Sequence, residues 1–322
     1  MEPHEIQAGL RHPDEGPRLT ALAQLIQPEV DPSPYVADTG PCVDHPSEGV
    51  RQAAAAVLGR SGAGGVAPLT RALAQDQPDI VRVFAAQSLG IIGPPSAPAA
   101  MELCRAMTAP DDTLRFHASF ALGKIGAASV PWLQRMLGYP EPKVQCAAVD
   151  GLGWVGQPAA PAVPQIQALG ASPLVKLRHA CAAALVKITG DPAAGLPILR
   201  RDLRDPDPEV RKSALDRIGE LLTSGQPAAP DVFVELRDPV PGVRGAAALT
   251  LAKTRTDPNQ AVPAIIPMLQ DPETIVRANA IMALGGYGPS ARAALPYLDP
   301  IRRGEDPRFA AMAKTAMEQI SS

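Results

Sequence analysis

Aromatic side chains are scarce in this sequence: five Phe, four Tyr and two Trp amount to 3% of the residues. The apolar 46% is therefore mostly Ala, Leu, Val and Ile, which favours closely packed helices over a sheet sandwich. An excess of one charge is lacking too. The formal net charge of -3 and pI near 6.0 offer no general attraction to phosphate backbones or anionic lipid, so neither nucleic acid nor membrane is expected as a partner. Cysteine is sparse, and Cys42, Cys104, Cys146 and Cys181 lie far apart with no CxxC pair. That argues against a zinc ribbon or a small disulfide framework and fits a reducing compartment. No run approaches the roughly 20 apolar residues that span a bilayer. The opening stretch MEPHEIQAGLRHPDEG carries acidic residues and no apolar segment, unlike a secretory signal or transit peptide. A cytoplasmic protein is the expectation.

What the sequence does have is repetition, which sets aside the two-domain reading that a length of 322 residues would otherwise suggest. A unit reading Asp-Pro-x-x-x-Val-Arg-x-x-Ala, then Ala-Leu-Gly, then a Gly/Pro turn and an apolar segment recurs, clearest from Asp205, Asp238 and Asp271. Its anchor arginines, Arg178, Arg211, Arg244 and Arg277, stand 33 residues apart, and Gln145, Arg115, Arg82 and Arg51 continue the register backwards. Three places after each anchor comes a small residue (Ala54, Ala85, Ala118, Ala148, Cys181, Ala214, Ala247, Ala280). Seven places after it comes Leu58, Leu89, Leu122, Leu152, Leu185, Ile218, Leu251 or Leu284. Those positions form one stripe of period 3.6, the mark of a helix face buried against a neighbour. A second apolar segment follows each Gly-containing turn, with Pro near its start, where the missing N–H costs nothing. The 37 prolines thus punctuate helices.

These motifs resemble HEAT repeats, and among them the short type named for the phycobiliprotein lyases. The resemblance implies an all-α fold, a right-handed α-solenoid of about nine helical hairpins. The array is expected over 47–303, with a degenerate capping hairpin at 1–27, a Pro/Asp-rich loop insertion at 28–46 and a capping helix at 304–322. HEAT-like arrays include scaffolds, transport receptors, lyase subunits and a few enzymes, so the fold alone does not choose a function. Deoxyhypusine hydroxylases bind two irons through several His-Glu dipeptides, whereas this chain has one, His4-Glu5. HEAT-like DNA glycosylases need a basic groove for which no Lys/Arg run provides.

Four groups of residues are candidates for a site. The anchor arginines could form a phosphate track, but pairing with Asp205, Asp238 and Asp271 at repeat seams is the simpler reading. Asp38, Cys42, Asp44 and His45 are metal-ligand types close in sequence, yet their spacing matches no zinc signature, and no metal or cofactor is expected. No GxSxG nucleophile motif occurs, and catalysis is not expected. Positions +2, +5 and +9 from the anchor lie opposite the buried stripe, on the helix that, by the HEAT resemblance, lines the concave surface. There Phe84, Phe120 and Trp154 fall in three successive units, flanked by Gln87, His117, Lys124 and Asp150. Rigid aromatic anchors with a polar rim have the make-up of a protein- or peptide-binding surface. The expected function is a non-catalytic interaction or scaffold module. The alternatives are a chromophore-lyase subunit, for which Cys146 and His117 would be the residues to test, and a structural spacer.

Overall fold

The computed structural model describes all 322 residues, and every regular element is helical. The chain divides into two compact units, Met1–Ile166 and Gln167–Ser322. The first holds α1 (Pro3–Arg11), α2 (Glu15–Ile26), α3 (Val36–Thr39), α4 (Glu48–Arg60), α5 (Val66–Ala72), α6 (Asp79–Ile92), α7 (Ala100–Met107), α8 (Asp112–Ile125), α9 (Val130–Leu137) and α10 (Pro142–Val155), and the division falls within α11 (Val163–Leu169). The second holds α12 (Val175–Thr189), α13 (Leu196–Asp202), α14 (Pro208–Glu220), α15 (Ala229–Glu235), α16 (Pro241–Lys253), α17 (Pro258–Ile265), α18 (Thr274–Gly286), α19 (Leu295–Arg302) and α20 (Pro307–Ser321). In the first unit the long helices α2, α4, α6, α8 and α10 pack side by side in that order, and in the second α12, α14, α16, α18 and α20 do the same. The shorter helices form the other layer. This is the all-α solenoid fold, and all sixteen residues of the +3 and +7 stripe are buried. Burial of each large aliphatic side chain among them contributes about 1.5–3 kcal/mol.

The 28–46 segment is not a loop. It folds into a 3-10 turn (Ser33–Tyr35), α3 and a second 3-10 turn (Gly40–Asp44), and it packs on α1, α4 and α5 with Tyr35, Cys42 and Val43 buried. It therefore takes the short-helix place after α2. Arg18 stands 33 residues before Arg51 and donates to the carbonyls of Leu10 and His12, so α2 is the first long helix of the array rather than part of a capping pair. Prolines at the starts of these short turns, where they are tolerated, gave the segment its loop-like composition. At the other end, α20 packs against α18 and α19.

The seams between repeats are polar and specific. Asp238 accepts Arg211 through both oxygens, at 2.7 and 3.0 Å, and Asp271 accepts Arg244 at 2.9 Å twice. Each arginine also donates Nη1 to the Asp and Pro carbonyls of its own Asp-Pro turn. The same aspartates accept a backbone N–H two residues on (Val240, Glu273), which fixes the turn into the next long helix. Asp205 departs from the expectation: Arg178 binds Asp202 at 2.6 Å instead. In the first unit the turns that lead into α4, α6 and α8 carry no Asp-Pro. Arg82 and Arg115 pair with Asp79 and Asp112 one turn back on their own helices, and Arg51 has only the His45 and Pro46 carbonyls, its Nε buried without a partner.

Arg244→Ala would strand the Asp271 carboxylate and should lower the unfolding free energy by about 2 kcal/mol. Arg51→Ala should cost less, and urea titration of both variants checks the ranking. Glu235, buried beside Asp238, adds a pH dependence. Burial, then its hydrogen bond with Asp238, push its carboxyl up to about 7. Because the folded value lies above the ordinary one, its contribution is full below about pH 4.5 and is lost as pH rises through 7. Stability should fall by on the order of 1 kcal/mol between pH 5 and 8, and Glu235→Gln should flatten that fall in denaturant titrations at the two pH values.

Candidate functional site

The +2, +5 and +9 stripe is largely open along the long helices, although Ala180, Ala183 and Ala246 on it are buried. Its aromatic part sits on α8 and α10. The Asp111 side chain caps α8 by accepting the Leu114 N–H at 2.6 Å, and Gly126, at φ 81°, ends it. That helix carries Phe116, His117, Phe120 and Lys124, while Trp154 sits on the last turn of α10. Phe120 meets the Trp154 indole edge-on with centroids 5.3 Å apart. Phe116 completes the group, stacked on Phe120 at 6.1 Å and edge-on to Trp154 at 5.6 Å. The Lys124 ammonium lies over the Phe120 ring at 5.1 Å, and the His117 ring meets Phe116 edge-on at 5.2 Å.

Of the residues singled out from the sequence, Phe120, Trp154, His117 and Lys124 come together. Phe84 does not join the rings: it is half-buried on α6, where Gln87 is exposed. Asp150 and Cys146 are half-buried on α10. Phe116 was missed because it stands one place after the anchor, outside the stripe. The signal was present in its spacing of four from Phe120, which puts both on one helix face. Phe116 is 52% exposed, whereas Phe120 and Trp154 are half-buried. The group is therefore a platform of rings seated between helices with one ring presented to solvent.

Small residues make room for it. A β-carbon on Gly123 would lie 2.7 Å from Trp154 Cβ and 3.2 Å from the Gly151 carbonyl oxygen, so α10 can seat Trp154 only against a glycine. Neither neighbour can swing aside, because one is the root of a side chain and the other is backbone. Gly123→Ala should destabilise the first unit by about 1–3 kcal/mol and shift the Trp fluorescence. An unchanged melting temperature and spectrum would show that the rings do not depend on this notch.

A second constellation lies in the other unit. His179 Nδ1 meets Ser213 Oγ at 3.0 Å and its Nε2 meets Asp202 at 2.8 Å, the residue types of a hydrolytic triad with the two ring nitrogens exchanged. Burial lowers the His179 pKa, outweighing the pull of Asp202; burial of Asp202 is in turn outweighed by Arg178, Arg201 and His179, which hold its carboxyl below the usual range. The imidazole has no exposed surface, so no substrate proton could reach it. The network ties α12, α13 and α14 together. The four metal-ligand types near the amino end do not converge either. Asp38 binds Arg11, Cys42 accepts from Arg18, Asp44 from Gln77, and His45 Nδ1 from the Ser47 N–H. No helix is long and apolar enough to cross a membrane.

Comparison with known proteins turns on the repeats. The family model described as HEAT repeats matches residues 36–105, 100–165, 162–252 and 230–318. No curated protein matches the chain in sequence. Among solved structures the chain is similar to the karyopherin Kap121p bound to the extreme C-terminus of the protein phosphatase Cdc14p, with a TM-score of 0.57 and 14% identity over 89% of this chain and 38% of that one. It is similar also to Kap95p in its RanGDP complex (TM-score 0.53, 12% identity, 98% and 51% covered). A third likeness is to a homology model of the full-length AP-3 complex in an intermediate open conformation (TM-score 0.56, 15% identity, 92% and 59% covered). The chain thus spans roughly two-fifths to three-fifths of these larger proteins.

Proposed function

The chain belongs to the HEAT-repeat family, and from that premise we propose that it is a protein-interaction module whose first unit grips a partner protein or peptide on the open face of α8 and α10. The observation that carries this reading is the exposed Phe116 ring resting on Phe120 and Trp154. Three rings already packed together lose little side-chain freedom when a partner settles on them, so more of the contact energy survives as affinity. An apolar or aromatic side chain of the partner would lie against Phe116, while Lys124 and His117 at the edge select its polar neighbours. Fold-level analogy supports a protein partner, since Kap121p and Kap95p are solved with protein segments or proteins bound.

The test begins with a photo-crosslinking amino acid at position 116 to capture the partner and map the crosslinked segment. Titration of that segment should then show Phe116→Ala losing about 2 kcal/mol of affinity, some thirtyfold, with circular dichroism and melting unchanged. Affinity unaffected by the truncation would overturn the assignment of this surface.

A further inference from the structure

Eleven places after the anchor, α4, α6, α8, α10 and α18 run into the left-handed backbone region on a glycine, Gly62, Gly93, Gly126, Gly156 or Gly288, with φ between 56° and 81°, and after α12 the glycine, Gly190 at φ 69°, comes one place later. The repeats of Arg211 and Arg244 are different. They place Leu222 (φ 52°) and Arg255 (φ 55°) there, a conformation that disfavours any residue with a β-carbon. Burial does not compensate, for Leu222 is 60% exposed and Arg255 is exposed as well, its Nη1 donating to the Gly286 carbonyl at 3.0 Å. Retained strain at two exposed side chains in consecutive repeats points to a use outside the fold.

Both residues line one groove of about 540 Å³ on the long-helix side of the second unit, together with Leu249, Lys253 and Met282. Met282 is 55% exposed. The groove wall therefore carries three aliphatic side chains and two cations, and no carboxylate lines it. Glu220, the nearest acid before Leu222, accepts Arg217 at 3.0 Å, and Asp257, two places after Arg255, caps the Asn259 N–H. Asp216 on α14 lies within the field of Lys212 and Lys253, though burial dominates and raises its carboxyl above the usual range. We infer that this groove docks an acidic segment of a protein partner, with an aliphatic side chain set among Leu222, Leu249 and Met282 and carboxylates on Lys253 and Arg255. Arg255, held by the Gly286 carbonyl, keeps its remaining N–H donors for such a carboxylate.

The test uses the full chain and a fluorescein-labelled peptide of alternating Asp and Leu, with Lys in place of Asp as its charge-reversed counterpart, read by anisotropy. The acidic peptide should bind at least about tenfold tighter than its counterpart. Leu222→Gly and Arg255→Gly, which restore the residue the backbone prefers, should each weaken it about tenfold while leaving the melting temperature equal or higher. Phe116→Ala should leave it unchanged. Equal binding of the two peptides, or undiminished binding to the glycine variants, would overturn the inference. So would a lowered melting temperature of those variants, which would assign the two side chains to the fold, or a loss with Phe116→Ala, which would move the peptide to the aromatic cluster.

Discussion

The second unit depends on one recurring clamp. An Asp-Pro turn presents its carbonyls to the arginine of its own long helix and its carboxylate to the arginine of the preceding one, so that Arg211, Asp238, Arg244, Asp271 and Arg277 form a continuous series. The aspartate also shapes the turn by accepting a backbone N–H, so chain reversal and repeat spacing are set by the same atoms. Arg211 and the Val240 amide outweigh burial and hold the Asp238 carboxyl below its usual range, as the Arg244 hydrogen bond does for Asp271. Where the series runs out, Arg277 lies over the Phe309 ring at 5.2 Å, and a cation–π contact replaces the carboxylate.

Such a clamp is local, and locality is what allows a repeat array to vary. Stability in these architectures is close to a sum of repeat and neighbour terms, so one seam can change without undoing the next. The first unit illustrates this with arginines paired on their own helices and a short-helix place filled by two 3-10 turns and a four-residue helix. Its aromatic rings occupy space that Ala-rich helices leave open, admitted by glycines at the helix crossing. Two kinds of departure from the repeat thus mark the two candidate surfaces: rings where the equivalent positions of adjacent repeats carry no aromatic residue, and side chains with a β-carbon where most other repeats carry glycine.

The 33-residue step and the +3 and +7 stripe were legible because burial against a neighbouring helix is periodic in sequence, and Ala54 through Leu284 on that stripe are buried as the period requires. The arginine–aspartate seam was legible at Asp238 and Asp271 for a related reason: both partners belong to the repeat. Asp205 was the exception, because Asp202 on the short helix lies within reach of Arg178 and His179, a proximity with no trace in the motif. Segment 28–46 was misread since proline marks loop and first helical turn alike.

By itself, then, the sequence determined the helical hairpin, its period, its buried face and the pairing at two of its seams, Arg211–Asp238 and Arg244–Asp271, all of which depend on contacts between equivalent positions of adjacent repeats. Tertiary structure alone decided that Phe116 and Phe120, and not Phe84, meet Trp154, because that contact depends on the crossing of α8 and α10. It also decided that Ser213, His179 and Asp202 form a sealed seam, and that Leu222 and Arg255 adopt a left-handed backbone conformation. Depth from solvent and the sign of φ follow from the packing of several helices at once, which no single helix encodes.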